Sequence, residues 1–168
     1  MSGPVNSGGA SVERVRAALL AAGHADSIAA FPAGTRTAAD AAAAIGCTVA
    51  QIAKSIVFRG GDGRAVVVIA SGANRVDARK VAAALGVTVG RADADWVRAA
   101  TGFAIGGVAP LGHAAQDGGA PLLVFDRDLL DLHPIWAAAG SPSHVFRSEA
   151  GELARITGAV VADIRQDG

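Results

Sequence analysis

The chain has 168 residues, and its fifteen basic and fifteen acidic side chains cancel to a formal net charge of zero. Hydrophobic residues make up 51% and charged residues 18%, which excludes a disordered chain and favours one globular domain with a substantial core. Tyr is absent and there are only two Trp and five Phe, so the chain lacks the basic surface and the aromatic platform of proteins that hold long nucleic acids. We therefore expect no DNA partner.

The single cysteine and the N-terminal sequence bear on where the protein works. Cys47 excludes an internal disulfide, which fits a reducing compartment. No basic start followed by an apolar stretch marks a signal peptide, and no apolar run approaches the ~20 residues that span a bilayer. We expect a cytoplasmic protein without membrane contact, in which residues 1–10 are a flexible tail and residues 11–168 form a single domain.

Capping signals define the predicted helices. Thr37 stands three residues before Asp40, and Thr48 stands three residues before Gln51, both in the pattern of a capping box. Glycines that follow the apolar stretches supply the stop signals. The predicted helices cover residues 12–22, 37–46, a single turn at 48–51, 76–85, 93–100 and 149–156.

Apolar runs between these helices predict strands. Residues 54–59 and 64–70 flank a Gly-Gly-Asp-Gly turn, the pattern of a β-hairpin. Hairpins mixed with helical crossovers indicate an α/β chain of the α+β type with a mixed sheet, not a doubly wound one. The predicted strands cover residues 27–31, 54–59, 64–70, 87–89, 103–106, 121–125, 144–147 and 159–164.

The segment Phe103–His113, with the sequence FAIGGVAPLGH, is the most distinctive in the chain. Gly reaches backbone conformations that other residues avoid and Pro fixes φ, so Gly106, Gly107 and Pro110 predict a rigid loop after a short strand. Two interpretations stay open at this point. The segment is either an ordinary turn that ends a strand, or a loop whose backbone N–H groups point at an oxyanion.

Lys54 lies inside the apolar run IAKSIVF, where a charge is costly. If the strand alternates, Lys54 shares a face with Ile56 and Phe58. A lysine on such a face either extends to solvent at the rim of the sheet or serves a functional site, and periodicity alone leaves both interpretations open.

Several classes of site have no support in the sequence. The four histidines lack metal-binding spacing, and HExxH and paired cysteines are absent. Neither a serine-hydrolase elbow nor a nucleotide-binding glycine motif occurs, so we expect no metal and no cofactor. Asp126, Asp128 and Asp131 are interpreted as a helix cap at a strand end, and Cys47 as a small buried residue.

Four segments carry a resemblance to a known family: Gln51–Phe58, Ser71–Lys80, Phe103–His113 and Ala137–Phe146. Their most specific features are the lysine of the first segment and, about fifty residues later, the Gly-Gly-x-x-Pro loop of the third. From roughly residue 37 onwards, the chain resembles the YbaK/EbsC family, the prolyl-tRNA editing domain superfamily. The resemblance implies a twisted mixed β-sheet that closes into a barrel-like core surrounded by helices.

The resemblance also implies the site. Lys54 falls on the family's functional lysine and would neutralise the phosphate or ribose end of the terminal nucleotide. Gly106 and Gly107, the other expected catalytic residues, would hold the ester carbonyl as it becomes an oxyanion. His133 and His144 match no family motif, and we interpret both as structural. The expected substrate contacts are Val108, Pro110, His113, Gly140 and Ser141.

By this resemblance, the chain is expected to be a cofactor-free aminoacyl-tRNA deacylase that acts in trans. It would hydrolyse the ester of a mischarged small amino acid, with tRNA for proline as the expected tRNA. Its partners would be the acceptor end of the mischarged tRNA and, as a further candidate, an aminoacyl-tRNA synthetase. The alternative is a non-catalytic module of the same fold that binds an aminoacyl or nucleotide end; a regulatory protein that binds a free amino acid or nucleotide is a more distant one.

Overall fold

The computed structural model describes residues 9–31, 37–115 and 119–167. Within these ranges, five α-helices pack against one mixed sheet of eight strands. The helices are α1 (Gly9–Ala21), α2 (Ala38–Ile45), α3 (Ala78–Leu85), α4 (Ala94–Thr101) and α5 (Ala150–Thr157). The strands are β1 (Ile28–Ala30), β2 (Ile52–Gly60), β3 (Ala65–Ser71), β4 (Val89–Gly90), β5 (Leu122–Asp126), β6 (Ile135–Ser141), β7 (His144–Ser148) and β8 (Val160–Ala162).

The capping predictions are confirmed at the entrance to the sheet. The Thr37 hydroxyl accepts a hydrogen bond from the backbone N–H of Asp40 at 3.0 Å, and Gly46 ends α2 with φ of 87°. Thr48 and Gln51 form a capping box around a 3₁₀ turn, Val49–Gln51, which leads directly into β2. Because these bonds are local, they set the start of β2 independently of the rest of the sheet.

The sheet combines a hairpin with parallel crossovers, as predicted. In the described residues, its order is β1-β7-β6-β2-β3-β5-β8, and β4 also pairs with β2. β2 and β3 are antiparallel over seven residue pairs, whereas the β2–β6, β3–β5 and β5–β8 pairs are parallel. The expected closure into a barrel is not shown, since β1 and β8 stand at opposite ends of this order.

The core occupies both faces of the sheet. Side chains of β3 alternate: Val67 and Ile69 join the larger cluster, whereas Val66 and Val68 join the smaller one. Helices α1, α4 and α5 contribute to the larger cluster, and Val81 of α3 covers the smaller one. A strand that is buried on both faces appears in the sequence as the continuous apolar run of β3.

Two segments differ from their predicted structure. Residues 103–106, predicted as a strand, form a loop in which Phe103 is fully buried by packing and not by strand pairing. Strand β6 was not predicted, because after Ile135 and Trp136 its sequence continues in Ala, Gly and Ser, which are not enriched in strands. Both errors arise where tertiary packing overrides the local sequence signal.

The remaining boundaries agree with the predictions to within a few residues. The Asp126 carboxylate accepts a hydrogen bond from the N–H of Asp128 at 2.9 Å and caps the 3₁₀ helix Arg127–Asp131, which confirms the helix-cap interpretation. Of the predicted tail, residues 1–8 lie outside the described residues, and Gly9 and Ala10 belong to α1. None of the helices described is both long and apolar enough to cross a membrane.

Candidate functional site

The candidate site is a cavity that opens where β2 and β6 part. These strands pair only through Ile52 with Trp136 and Ala53 with Ala137, and β6 then has an irregular register between Ala138 and its end. The β2–β6 cavity has a volume of about 380 Å³. It is lined by Thr37, Ala38, Ala41, Ile52, Ala53, Lys54, Ser55, Ile56, Gly106, Val108, Trp136, Ala137, Ala138, Ser141, Pro142, His144 and Val145.

Lys54 is the first residue of β2 beyond the pairing with β6, and it lines the cavity half-buried. The part of the chain that the structure describes gives its ammonium group neither a hydrogen bond nor an ion pair. The other lysine of the chain, Lys80, binds the carboxylates of Asp163 and Asp167 at 2.9 and 3.3 Å. A half-buried cation without a carboxylate partner is well suited to an anionic ligand.

Ser55 places a buried hydroxyl on the same cavity. Its Oγ is buried and has no hydrogen-bond partner among the described residues. A buried hydroxyl usually finds a partner, so this Oγ can donate to or accept from a ligand in the cavity. Sequence reasoning missed Ser55, although its position directly after Lys54 in the functional segment was an available signal.

The predicted glycine loop reaches the cavity through one tight turn. The carbonyl of Ala104 accepts a hydrogen bond from the N–H of Gly107 at 2.9 Å, and Gly106 has φ of 90°, as the third residue of a type II turn requires. Gly106 and Val108 line the cavity, whereas Gly107 does not. Since the amide of Gly107 is engaged in the turn, the described residues leave the amides of Gly106 and Val108 as the candidate donors to a ligand.

Gly107 has a packing role that the sequence did not predict. A Cβ added at this position would stand 2.8 Å from the Cα of Ser141, closer than real Cβ atoms approach. Gly107 is not among the glycines with positive φ, whereas Gly106 is, so a left-handed backbone requires glycine at position 106 and not at 107. Gly107 therefore lets the loop lie directly against the end of β6.

Arg14 of α1 holds both ends of this loop. Its guanidinium donates to the carbonyls of Gly102 and Gly112 at 2.6 and 3.2 Å and lies over the ring of Phe103 at 4.8 Å. Hydrogen bonds to charged groups are the stronger kind, and two of them on one side chain restrict the loop at both ends. The cavity wall is therefore a braced segment and not a free-standing turn.

The β6–β7 hairpin brings a serine and a histidine together at the cavity. Ser141 and His144 flank a two-residue turn and face each other in the strand register. The Oγ of Ser141 lies 2.6 Å from the Nδ1 of His144 and accepts the N–H of Ser143 at 3.1 Å. Both side chains line the cavity, so His144, interpreted from the sequence as structural, stands among the candidate ligand contacts.

Gly140, the other predicted contact in this hairpin, faces α1. Its φ is 98°, and an added Cβ would stand 2.7 Å from the carbonyl oxygen of Ser11. Gly140 therefore lets α1 approach β6 and turns the strand just before Ser141. It shapes the hairpin but does not line the cavity.

Pro110 and His113 lie in a different place. They line a second hollow of about 480 Å³ together with Leu111, Leu123 and Ile156. The His113 ring packs edge-on against Phe103, 5.7 Å between centroids, and its Nε2 is buried without a hydrogen bond from the described residues. Burial lowers the pKa of His113 to about 4, opposed by a backbone hydrogen bond to Ala109 and assisted by the charge of Arg14.

The remaining polar candidates have structural partners. His24 is buried and its two ring nitrogens lie 2.6 Å from the Ala25 carbonyl and 2.9 Å from the Ser148 hydroxyl. His133 lies on the surface, 2.9 Å from a carboxylate oxygen of Glu149. Across the described ranges, no three His, Cys, Asp or Glu side chains group as a metal site would require.

Cys47 lies outside the cavity and is half-buried, not fully buried as its sequence context suggested. Burial raises the pKa of its thiol. The thiolate is the reactive form of cysteine, so this environment disfavours a nucleophilic role.

Comparisons with known proteins fit this geometry. A profile of the family described as "Aminoacyl-tRNA editing domain" matches residues 32–156. The crystal structure of a proposed trans-editing enzyme for prolyl-tRNA synthetase is 40% identical, with a TM-score of 0.85 over 99% of this chain and 100% of that chain. The crystal structure of hypothetical protein APE2540 is 29% identical, with a TM-score of 0.82 over 91% of this chain and 99% of that one.

A curated relative matches about three quarters of this chain. The uncharacterized protein YwhH of Bacillus subtilis (strain 168) is 28% identical over 127 residues, which cover 76% of this chain and 78% of that protein. The matched family region includes β2, the glycine loop and the β6–β7 hairpin, the three segments that form most of the cavity wall.

Proposed function

Because the chain belongs to the aminoacyl-tRNA editing domain family, we propose that it is an aminoacyl-tRNA deacylase that acts in trans. Its substrate would be the ester that joins a mischarged small amino acid to the terminal ribose of a tRNA. The likeness to a proposed trans-editing enzyme for prolyl-tRNA synthetase supports tRNA for proline as the tRNA, and an aminoacyl-tRNA synthetase as a partner. Charged tRNA circulates where translation occurs, so the activity would take place in the cytoplasm.

The observation that carries this proposal is the position of Lys54. It is a half-buried cation without a carboxylate partner among the described residues, and it lies beside small apolar side chains of the same cavity, such as Ala53 and Ala137. An aminoacylated tRNA end offers the matching pair of groups, a phosphodiester and a small side chain. Lys54 would take the phosphate or ribose end, while the alanines would surround the amino acid.

The reaction asks for positioning and charge stabilisation more than for a strong nucleophile. An aminoacyl ester is already activated, and the adjacent ribose hydroxyl can assist the attack of water. Gly106 and Val108 line the cavity, and their amides would hold the ester carbonyl as it becomes an oxyanion. Donors of this kind supply much of the acceleration in acyl transfer. The proposed reaction therefore calls for no metal and no organic cofactor.

The other predicted contacts divide into residues that would touch the substrate and residues that would shape the site. Val108 and Ser141 would touch the substrate directly, because both line the cavity. Gly107, Pro110, His113 and Gly140 would act through the shape of the loop and the hairpin that carry the contact residues. Small apolar amino acids are poorly separated by binding alone, which is the reason that a second, hydrolytic selection step is useful.

The test is a deacylation screen. Purified protein is incubated with tRNA for proline charged with alanine, cysteine or serine, with correctly charged tRNA as the reference, and ester loss is followed by acid precipitation. Faster hydrolysis of at least one mischarged species is expected. Binding of a mischarged tRNA without turnover would instead favour the alternative, a non-catalytic module of the same fold.

A further inference from the structure

We infer that His144 is a catalytic residue of the proposed deacylation and that Ser141 is its positioning residue. The inference rests on the proposed function and adds a proton-transfer group to it. His144 would take a proton from the attacking water, and Ser141 would fix the orientation of the imidazole ring. Neither residue type nor spacing identified this pair in the sequence.

The pair is built by the hairpin. Ser141 and His144 are opposed across the two-residue turn between β6 and β7, so their side chains leave the sheet on the same side. The Oγ of Ser141 lies 2.6 Å from Nδ1 of His144, a short contact for a hydroxyl and an imidazole. The N–H of Ser143 fixes the same Oγ at 3.1 Å, so the serine is anchored before it orients the ring.

A comparison of the four histidines separates His144 from the rest. Both ring nitrogens of His24 lie within hydrogen-bond distance of protein groups, and His133 lies on the surface against Glu149. His113 is enclosed in the second hollow against Phe103. His144 lines the β2–β6 cavity with Nδ1 bonded, and the described residues give its Nε2 no hydrogen bond, which leaves that nitrogen for a ligand or a water.

Ser141 is better placed to orient the ring than to attack the substrate. Its side chain is buried with the residue only 3% exposed, and its Oγ is held between His144, the N–H of Ser143 and, at 3.4 Å, the Ser143 hydroxyl. A nucleophilic oxygen must approach the ester carbonyl with a free lone pair, and these contacts occupy the sites around Oγ. An imidazole whose second nitrogen faces the cavity has no such restriction.

The electrostatic surroundings of His144 are simple. Among the described residues that line the cavity, Lys54 is the other charged or titratable side chain. The N-cap Thr37 and the α2 residues Ala38 and Ala41 also line the cavity, and β1 places Ala30 opposite His144. The charges that the imidazole would meet in the cavity are therefore those of Lys54 and of the substrate.

The proposed step balances as ordinary ester hydrolysis. Nε2 of the neutral imidazole takes a proton from water as the water oxygen bonds to the ester carbonyl carbon, and the carbonyl π electrons move to its oxygen. When that electron pair returns, the bond between the carbonyl carbon and the ribose oxygen breaks, and the imidazolium gives its proton to the ribose oxygen. The products are the free amino acid and deacylated tRNA, and the imidazole is regenerated.

The central experiment removes the imidazole and supplies it again from solution. His144→Ala should lower kcat on the mischarged tRNA by about 10²-fold or more while KM changes little, because general-base catalysis typically contributes that much. Free imidazole added to the variant should restore part of kcat, since the truncated side chain leaves room beside the cavity. His133→Ala, which removes a surface histidine, should keep wild-type activity and show no response to imidazole.

Two further variants guard the interpretation. His144→Asn keeps a polar atom close to the position of Nδ1, so it should stay folded by circular dichroism and thermal melting and still have a low kcat. Ser141→Ala should lose less kcat than His144→Ala and should keep the pH dependence of general-base catalysis, which His144→Asn should lack.

Three outcomes would overturn the inference. They are full activity of His144→Ala, loss of activity in that variant that imidazole does not restore, and capture of an acyl group on Ser141 by acid quenching. These outcomes can be distinguished from failure of the proposed function. An inactive wild-type protein would refute both the deacylase function and the His144 role. If the wild type is active, Lys54→Ala is inactive and His144→Ala is fully active, the His144 role alone is refuted.

Discussion

The β2–β6 cavity and the second hollow each contain a histidine, and the Phe103–His113 loop contributes to both. In the cavity, His144 meets the hydroxyl of Ser141 and shares the space with the Lys54 cation. In the hollow, His113 packs against Phe103 among apolar side chains, and burial keeps it neutral by lowering its pKa to about 4. The same residue type is thus a candidate for proton transfer in one place and a packing element in the other.

The difference comes from how each space is formed. The cavity opens because β2 and β6 separate after Ala53, which exposes strand residues with polar side chains. The hollow is framed by a loop and by Ile156 near the end of α5, which provide mainly apolar contacts. A titratable side chain that solvent and ligand can reach is available for function. One that is desolvated by apolar neighbours stays neutral and serves packing.

The largest expected effect is in the cavity. Lys54→Ala should lower kcat/KM for a mischarged tRNA by about 10²–10³-fold, because it removes the cation that would neutralise the tRNA end. Far-UV circular dichroism and the melting temperature should stay near wild type, since the described residues form no bond with this ammonium group. Lys80→Ala is the matched control; it breaks contacts to Asp163 and Asp167 and should leave turnover intact. Wild-type activity of Lys54→Ala would contradict the assignment of the cavity.

Gly107 lies where the loop leaves the cavity, and its substitution should have the next largest effect. A methyl group there must displace the end of β6, since the added Cβ would stand 2.8 Å from the Cα of Ser141. A misplacement of about 1 Å can lower turnover by about 10²-fold, and Gly107→Ala should lose activity on that order together with some thermal stability. Steady-state kinetics and melting curves measure both quantities.

A glycine in open space provides the control for Gly107. An added Cβ at Gly151 of α5 meets no atom within 4 Å. Gly151→Ala should keep full activity and gain about 0.5–1 kcal/mol in the free energy of unfolding, because alanine loses less conformational freedom in a helix. Unchanged kinetics in Gly107→Ala would show that the contact with Ser141 is not needed for function.

His113 tests the hollow through pH. Its folded-state pKa of about 4 lies below the ordinary value of 6.5, so the unfolded chain takes up the proton first as the pH falls. The stability that depends on neutral His113 is complete above pH 6.5 and is lost as the pH falls towards 4. His113→Asn should remove up to about 3 kcal/mol of this acid sensitivity in the free energy of unfolding.

Denaturant titrations at several pH values measure that difference, and His133→Asn serves as the surface control. If the wild type and His113→Asn lose stability equally between pH 7 and pH 4, the histidine is not desolvated in the way its surroundings indicate. The same titrations on His144→Asn measure how the free energy of unfolding depends on pH when the cavity histidine is replaced.

The smallest expected effect concerns how much tRNA is held. The chain has zero net charge, and in the described part of the molecule Lys54 is the one lysine or arginine that lines the cavity. Each neutralised phosphate adds about 0.7–0.9 to the slope of log affinity against log salt, so a contact with few phosphates predicts a slope on the order of 2–3. A mischarged acceptor-stem minihelix should then be hydrolysed nearly as fast as whole tRNA. A steep slope with an inert minihelix would indicate a wider contact surface, in which Arg75, Arg79 or Arg98 are candidates.

The sequence by itself determined the elements whose signals are local. Thr37 and Thr48 cap their helical turns through residues three positions away, and the β2–β3 hairpin forms around its glycine turn. The segments around Lys54 and the glycine loop also sufficed to indicate the family. These features need only neighbouring residues, so a single chain displays them without its fold.

Tertiary structure alone decided what the cavity contains. Strand β6 has a weak local signal and forms because β2 and β7 pair with it, and the role of Gly107 depends on Ser141, 34 positions further along the chain. Lys54 and His144 line one cavity across 90 positions of sequence. Contacts over such separations depend on the order of the strands in the sheet and on where neighbouring strands separate. Local propensity does not determine that order.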